Sequence, residues 1–137
     1  MRSHNVKKIE GIGAGHAKKL NKANVVTVSS LLKKGATRKG RNELSKETKV
    51  DANVILKWVN MADLFRVKGI GEEYSELLEK AGVDTVKELK TRNIKNLHAK
   101  MKAVNSKGKG LVRVLPGEKR VEGWIKEAKK LKPVIKY

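Results

Sequence analysis

A chain of 137 residues has room for one domain or two small fused units, and a hydrophobic fraction of 39% is that of a chain that folds rather than stays disordered. Lys plus Arg number 33 against 14 Asp plus Glu, a formal charge of +19, which is self-repelling in a compact state and implies a polyanionic partner; a solubilising surface or an adaptation to heat or salt is the plainer reading. The absence of Cys excludes disulfides and thiolate metal sites, and no apolar run approaches the ~20 residues of a membrane span.

The opening MRSHNVKKIEG lacks the apolar stretch of a secretory leader, so an intracellular protein of the cytoplasm or nucleoid is expected, with no membrane partner. The charge is distributed: residues 1–63 carry 14 basic and 5 acidic side chains, residues 64–137 carry 19 and 9. Lys outnumbers Arg, which favours point contacts to phosphates over bidentate reading of guanine edges. Low sequence specificity follows.

In chain order, a glycine turn at Gly11-Ile12-Gly13 opens a helix over 14–23, and Thr27 caps a short one over 28–34. Thr37 caps a basic helix over 38–48. Asp51 opens the longest helix, 52–65, on which Val54, Ile55, Trp58, Val59, Ala62 and Phe65 recur at helical spacing. A second glycine turn, Gly69-Ile70-Gly71, opens 72–81, closed by Gly82 as a C′ residue. Thr85 with Glu88 forms a capping box for 86–91, Asn93 caps 94–104, and Pro116-Gly117 precedes a helix over 118–131. The segment 111–115 reads as loop.

Adding 58 to a residue number maps Ile9, Gly11, Ile12, Gly13, Leu20, Ala23, Val25, Thr27, Val28 and Leu31 onto Val67, Gly69, Ile70, Gly71, Leu78, Ala81, Val83, Thr85, Val86 and Leu89. Further on the register slips by eight, so that Lys57-Trp58-Val59 faces Gly123-Trp124-Ile125. The fold class is therefore all-α: two pseudo-symmetric repeats, 1–65 and 66–137, packed as one compact helical domain. Within each turn, paired glycines allow positive φ and close approach of a ligand, the Ile between them pins the turn, and the amides at the next helix start form an anion site. A single Gly-x-Gly is weak evidence, better explained by a functionless helix-helix turn; repetition strengthens it. Neither copy completes a dinucleotide-binding Gly-x-Gly-x-x-Gly frame.

The segments Ile9–Gly13, Thr27–Leu31, Lys39-Gly40-Arg41, Lys57–Leu64 and Val67–Gly71 resemble the tandem helix-hairpin-helix proteins of the domain-of-unknown-function 4332 family, over nearly the whole chain. The resemblance implies two hairpins whose amides bind DNA phosphates without sequence specificity, and a monovalent cation sometimes held on the loop carbonyls. No other cofactor and no metal site is expected.

The expected nucleic-acid contacts are the amides of Gly11, Ile12, Gly13 and Ala14, with Lys18, Lys19, Arg38, Lys39 and Arg41 supplying charge. The second hairpin, Lys68, Gly69, Ile70 and Gly71, is expected to be weaker, because Glu72, Glu73, Glu76 and Glu79 follow it and carboxylates at a helix start repel a phosphate. That acidic helix is also a candidate surface for a protein partner. The loop Lys107-Gly108-Lys109-Gly110 is a further candidate backbone contact, with a solvated charge run as the alternative. Trp58 and Trp124 are expected in the core rather than in base stacking, and His16, which aligns with Tyr74, in hairpin packing. Catalytic residues are not expected: the carboxylates lack a His or metal-ligand companion. DNA stands ahead of RNA as partner, but a Lys-rich chain of this size also suits a ribosomal or ribonucleoprotein assembly role, or an interaction scaffold using the acidic helix.

Overall fold

The computed structural model describes residues 4–107, 110 and 112–137. Eight α-helices are present and no strand is found among the described residues: α1 (Ala14–Lys22), α2 (Val28–Gly35), α3 (Arg38–Thr48), α4 (Ala52–Leu64), α5 (Glu72–Lys80), α6 (Val86–Leu89), α7 (Ile94–Asn105) and α8 (Glu118–Lys130). The chain is all-helical, as the sequence predicts. It divides into two compact units, Met1–Asp63 with Val134–Tyr137, and Leu64–Pro133.

The helix starts are set by local chemistry. Thr27, Thr37, Thr85 and Asn93 all accept from the amide three residues on, at Ser30, Gly40, Glu88 and Asn96. Asp51 takes the Asn53 amide at 2.7 Å at the start of α4. The reciprocal capping box falls at Thr27 rather than Thr85: the Ser30 hydroxyl accepts from the Thr27 amide at 3.0 Å, whereas Glu88 pairs with Arg92 at 3.3 Å, a turn along the chain.

In the first unit α3 packs on α1 and α2, around Leu20, Leu31, Leu44, Ile55 and Val59, all fully buried. A 3-10 turn at Val6–Lys8 precedes them, unannounced by the sequence. It is clipped beside the start of α2 by bonds from the Val6 amide to the Val26 carbonyl and from the Val28 amide to the His4 carbonyl. Val54 departs from the predicted apolar stripe of α4 and is 41% exposed. In the second unit α7 packs on α5 and α8, and α6 on α8, burying Leu77, Leu78, Leu89, Met101 and Val121. Residues 112–115 form no regular element, in accord with the loop expected there; Leu111, like Gly108 and Lys109 of the predicted basic loop, lies outside the described residues.

Asp84 stands beside Glu88 in the second unit. Partial burial, a hydrogen bond with Glu88 and that neighbour's charge push its carboxyl up to about 6. A carboxyl raised above its unfolded value near 3.8 favours the fold while protonated, so this contribution is complete below about pH 4 and is lost as pH rises through 6. Asp84→Asn should therefore be more stable than wild type at pH 7 but not at pH 3.5. The difference should be on the order of 1 kcal/mol once solvent screening is allowed for, and urea melts across this range measure it. Parallel wild-type and variant curves would contradict the assignment.

Candidate functional site

The two glycine turns match at their first glycine and diverge at the second, Gly13 lying at φ −85°, ψ −174° and Gly71 at φ −127°, ψ −149°. Gly11 and Gly69 both hold φ +93°, and a side chain there would crowd Nε1 of Trp58 and Trp124, 3.3 and 3.2 Å from the two Cβ positions. The amides of Ile12 and Ile70 donate to the carbonyls of Ile9 and Val67, each at 3.1 Å, and both Ile side chains are buried. The His16 ring lies against Trp58 with centroids 5.1 Å apart, and the Tyr74 ring against Trp124 at 5.2 Å, so both indoles pack inside their units.

These facts redistribute the roles predicted for the first turn. Ile12 cannot offer its amide outward, because Ile9 already accepts from it. Gly13, the N-cap of α1, has φ −85° and ψ −174°, an extended conformation open to any residue, and a Cβ there would meet nothing within 4 Å. The positive φ expected of the glycine pair thus belongs to Gly11 alone. No side chain caps α1, and Gly13, Ala14 and Gly15 are exposed. The first-turn amides have no acceptor within the helix. Lys18 and Lys19 are exposed on the same helix, with Lys19 in its last turn, where a cation also complements the helix dipole.

The basic stretch separates into two roles. Arg38 and Lys39 are exposed in the first turn of α3. Arg41 is buried: its guanidinium donates to the Gly35 carbonyl at 2.8 Å and the Lys136 carbonyl at 2.9 Å, tying the returning C-terminal residues to α2. Desolvation holds its pKa below the usual arginine value. Arg41 is therefore a packing residue and not the outward cation the sequence suggested. Lys34 pairs with Glu43 at 2.6 Å, which lowers the glutamate's pKa and raises the lysine's.

At the second turn Gly71 caps α5, again without a side-chain bond, and the carboxylates of Glu72 and Glu73 occupy the first helical turn. The Lys68 amide is already taken by the Glu127 carboxylate of α8 at 2.6 Å. A hydrophobic reading of α8 overlooks this contact, because the residues concerned lie on its polar side. No group of three or more His, Asp or Glu is placed to hold a metal ion among the described residues, and no described helix is long and apolar enough to cross a membrane.

No curated protein matches the chain, and neither does any solved structure. A family model does match, over residues 10–131, spanning both glycine turns and all eight helices up to Leu131. The chain belongs to the family described as a domain of unknown function, DUF4332.

Proposed function

We propose that this protein binds nucleic acid, DNA ahead of RNA, by offering the first-turn amides of α1 to a backbone phosphate in the manner of a helix-hairpin-helix, with Lys18, Arg38 and Lys39 adding charge. The observation that carries the reading is the uncapped start of α1. Glycine stands at positions 13 and 15, although neither a positive φ nor a close neighbour requires it, and Gly13, Ala14 and Gly15 are exposed. Gly13 fills the N-cap, a position glycine suits, but the fold supplies no reason for glycine inside the helix at position 15, and close approach by an external group does. The formal charge of +19 favours a polyanion, and the predominance of Lys favours phosphate contact over base reading.

The shared φ of Gly11 and Gly69, the matching Ile amide bonds and the matching Trp contacts support treating the two turns as copies of one device. The copies differ in use. The first-turn amides of α1 face no carboxylate on their own turn, whereas those of α5 are accompanied by Glu72 and Glu73. The first turn is the principal phosphate contact in this reading.

Gly13→Val tests it, because valine suits the extended backbone at this position and its Cβ would meet nothing within 4 Å. The variant should remain folded with a modestly lower melting temperature, because valine is a poorer N-cap than glycine, while losing about tenfold or more in affinity for duplex DNA, as its methyls keep a phosphate from the amides. Titrations of duplex DNA, single-stranded DNA and structured RNA at two salt concentrations provide the comparison. Affinity unchanged by the variant, or unchanged by salt, would refute the mechanism.

A further inference from the structure

The second unit has a different basic surface, away from the acidic start of α5. Arg120, Gly123, Glu127 and Lys130 follow one another at intervals of three, four and three along α8 and form a single stripe. Together with Lys126 and the Lys68-Gly69 turn they line an open hollow of about 520 Å³. Four cations, Lys68, Arg120, Lys126 and Lys130, surround it against the one carboxylate of Glu127.

This hollow has features that a solvated run of lysines lacks. Arg120 is held in place: its guanidinium lies over the rings of Tyr74 and Trp124, 4.9 and 5.9 Å from the centroids, and donates to the Tyr74 hydroxyl at 3.3 Å. Trp124 lines the hollow although it is only 3% exposed, and its Nε1 faces Gly69, where the absence of a side chain leaves it uncovered. No acceptor for that indole N–H is found among the described residues. Lys126 pairs with Glu122 at 3.1 Å, but both side chains are largely exposed and such a pair is easily exchanged for another anion.

We infer that this α8 hollow is a second nucleic-acid contact, in which a phosphate of the DNA backbone is held by Arg120, Lys130 and Lys68, with the Trp124 indole N–H as a further donor. The inference rests on the reading of the protein as a DNA binder and assigns the second unit's share of that binding to α8 instead of to its glycine-turn amides. Glu127 has an opposing effect, since its carboxylate places negative charge in the hollow while engaging the Lys68 amide.

The test is a fluorescence-anisotropy titration of a labelled duplex across a salt series. For R120A/K126A/K130A, affinity should fall at least about tenfold at 0.1 M salt, and the slope of log K against log salt should flatten by about two to three. Glu127→Gln should act oppositely, raising affinity about two- to fivefold, because the amide oxygen still accepts from Lys68 while the charge is gone. In a Trp58→Phe background the emission of Trp124 should change on addition of DNA. Melting temperatures identify any variant that fails to fold, and the Glu127→Gln and emission results do not depend on the triple variant.

A triple variant that folds and binds with wild-type affinity and slope, while Gly13→Val loses binding, would overturn the α8 contact and leave the proposed function standing. Failure of the wild type to bind DNA in a salt-dependent way would overturn both. Preference for duplex RNA, with the α8 changes felt on RNA alone, would overturn the assignment to DNA.

Discussion

Gly40→Ala should destabilise the first unit by about 3 kcal/mol or more, although helix propensity taken alone predicts the opposite sign. Replacing glycine by alanine inside a helix is ordinarily favourable by about 1 kcal/mol. Here the new methyl would run into the carbonyl oxygen of Lys34 in α2, which is backbone and cannot rotate away. Either α3 moves off α2 or the helix distorts, and overpacking of this kind costs about 1–3 kcal/mol and more against an unyielding neighbour. The steric term exceeds the propensity term. Gly15→Ala is the matched comparison: it lies in α1, meets nothing within 4 Å, and should be neutral or slightly stabilising. Urea melts of the three proteins decide the point, and a Gly40→Ala protein as stable as wild type would show that α2 and α3 do not approach as described.

The second large effect concerns the adjacent residue. Arg41→Ala should lower stability by about 2 kcal/mol and leave the salt dependence of the proposed DNA binding unchanged. Its two bonds join the Gly35 carbonyl to the Lys136 carbonyl, across 95 positions of sequence in the second case. Removing the guanidinium leaves both oxygens without it, a loss only partly offset by no longer burying a charge. The Lys136 amide still donates to the Ala36 carbonyl at 2.7 Å, so the C-terminal segment should loosen without detaching. Amide exchange of Lys136 should speed up in the variant. R38A/K39A should behave in the converse way, with stability retained and the salt slope reduced by up to about two, one for each phosphate that is no longer neutralised. Loss of binding in a folded Arg41→Ala protein, with no loss of stability, would return Arg41 to the interface.

These residues show where a reading of the sequence stops. Thr37-Arg38-Lys39-Gly40-Arg41 is a basic run at a helix start, and as a sequence it is one feature. In three dimensions helical spacing turns Arg38 and Lys39 outward, while Gly40 and Arg41 face α2 and the returning C-terminal residues. Charge in a sequence carries no sign of which way a side chain faces when its neighbours are supplied by a distant segment. Gly13 shows the same limit: its extended φ could not be told from its pairing with Gly11, because glycine tolerates both conformations.

Features that depend on interactions a few residues apart were legible in the amino-acid order. Helix starts followed from Thr and Asn side chains reaching the amide three positions on. The turn of the backbone at Gly11 and Gly69 and the burial of both tryptophans followed from glycine placement and apolar spacing. Contacts whose partners lie far apart in the chain came from the packing of the helices. It brought Val134–Tyr137 back to the first unit, buried Arg41 under them, placed Glu127 on the Lys68 amide and gathered Lys68 with Arg120 and Lys130 around the Trp124 edge. The physical reason is the same in each case. A cap or a turn forms within a few residues, whereas a carboxylate or guanidinium meets a backbone group 59 or 95 positions away only after the helices between them have packed.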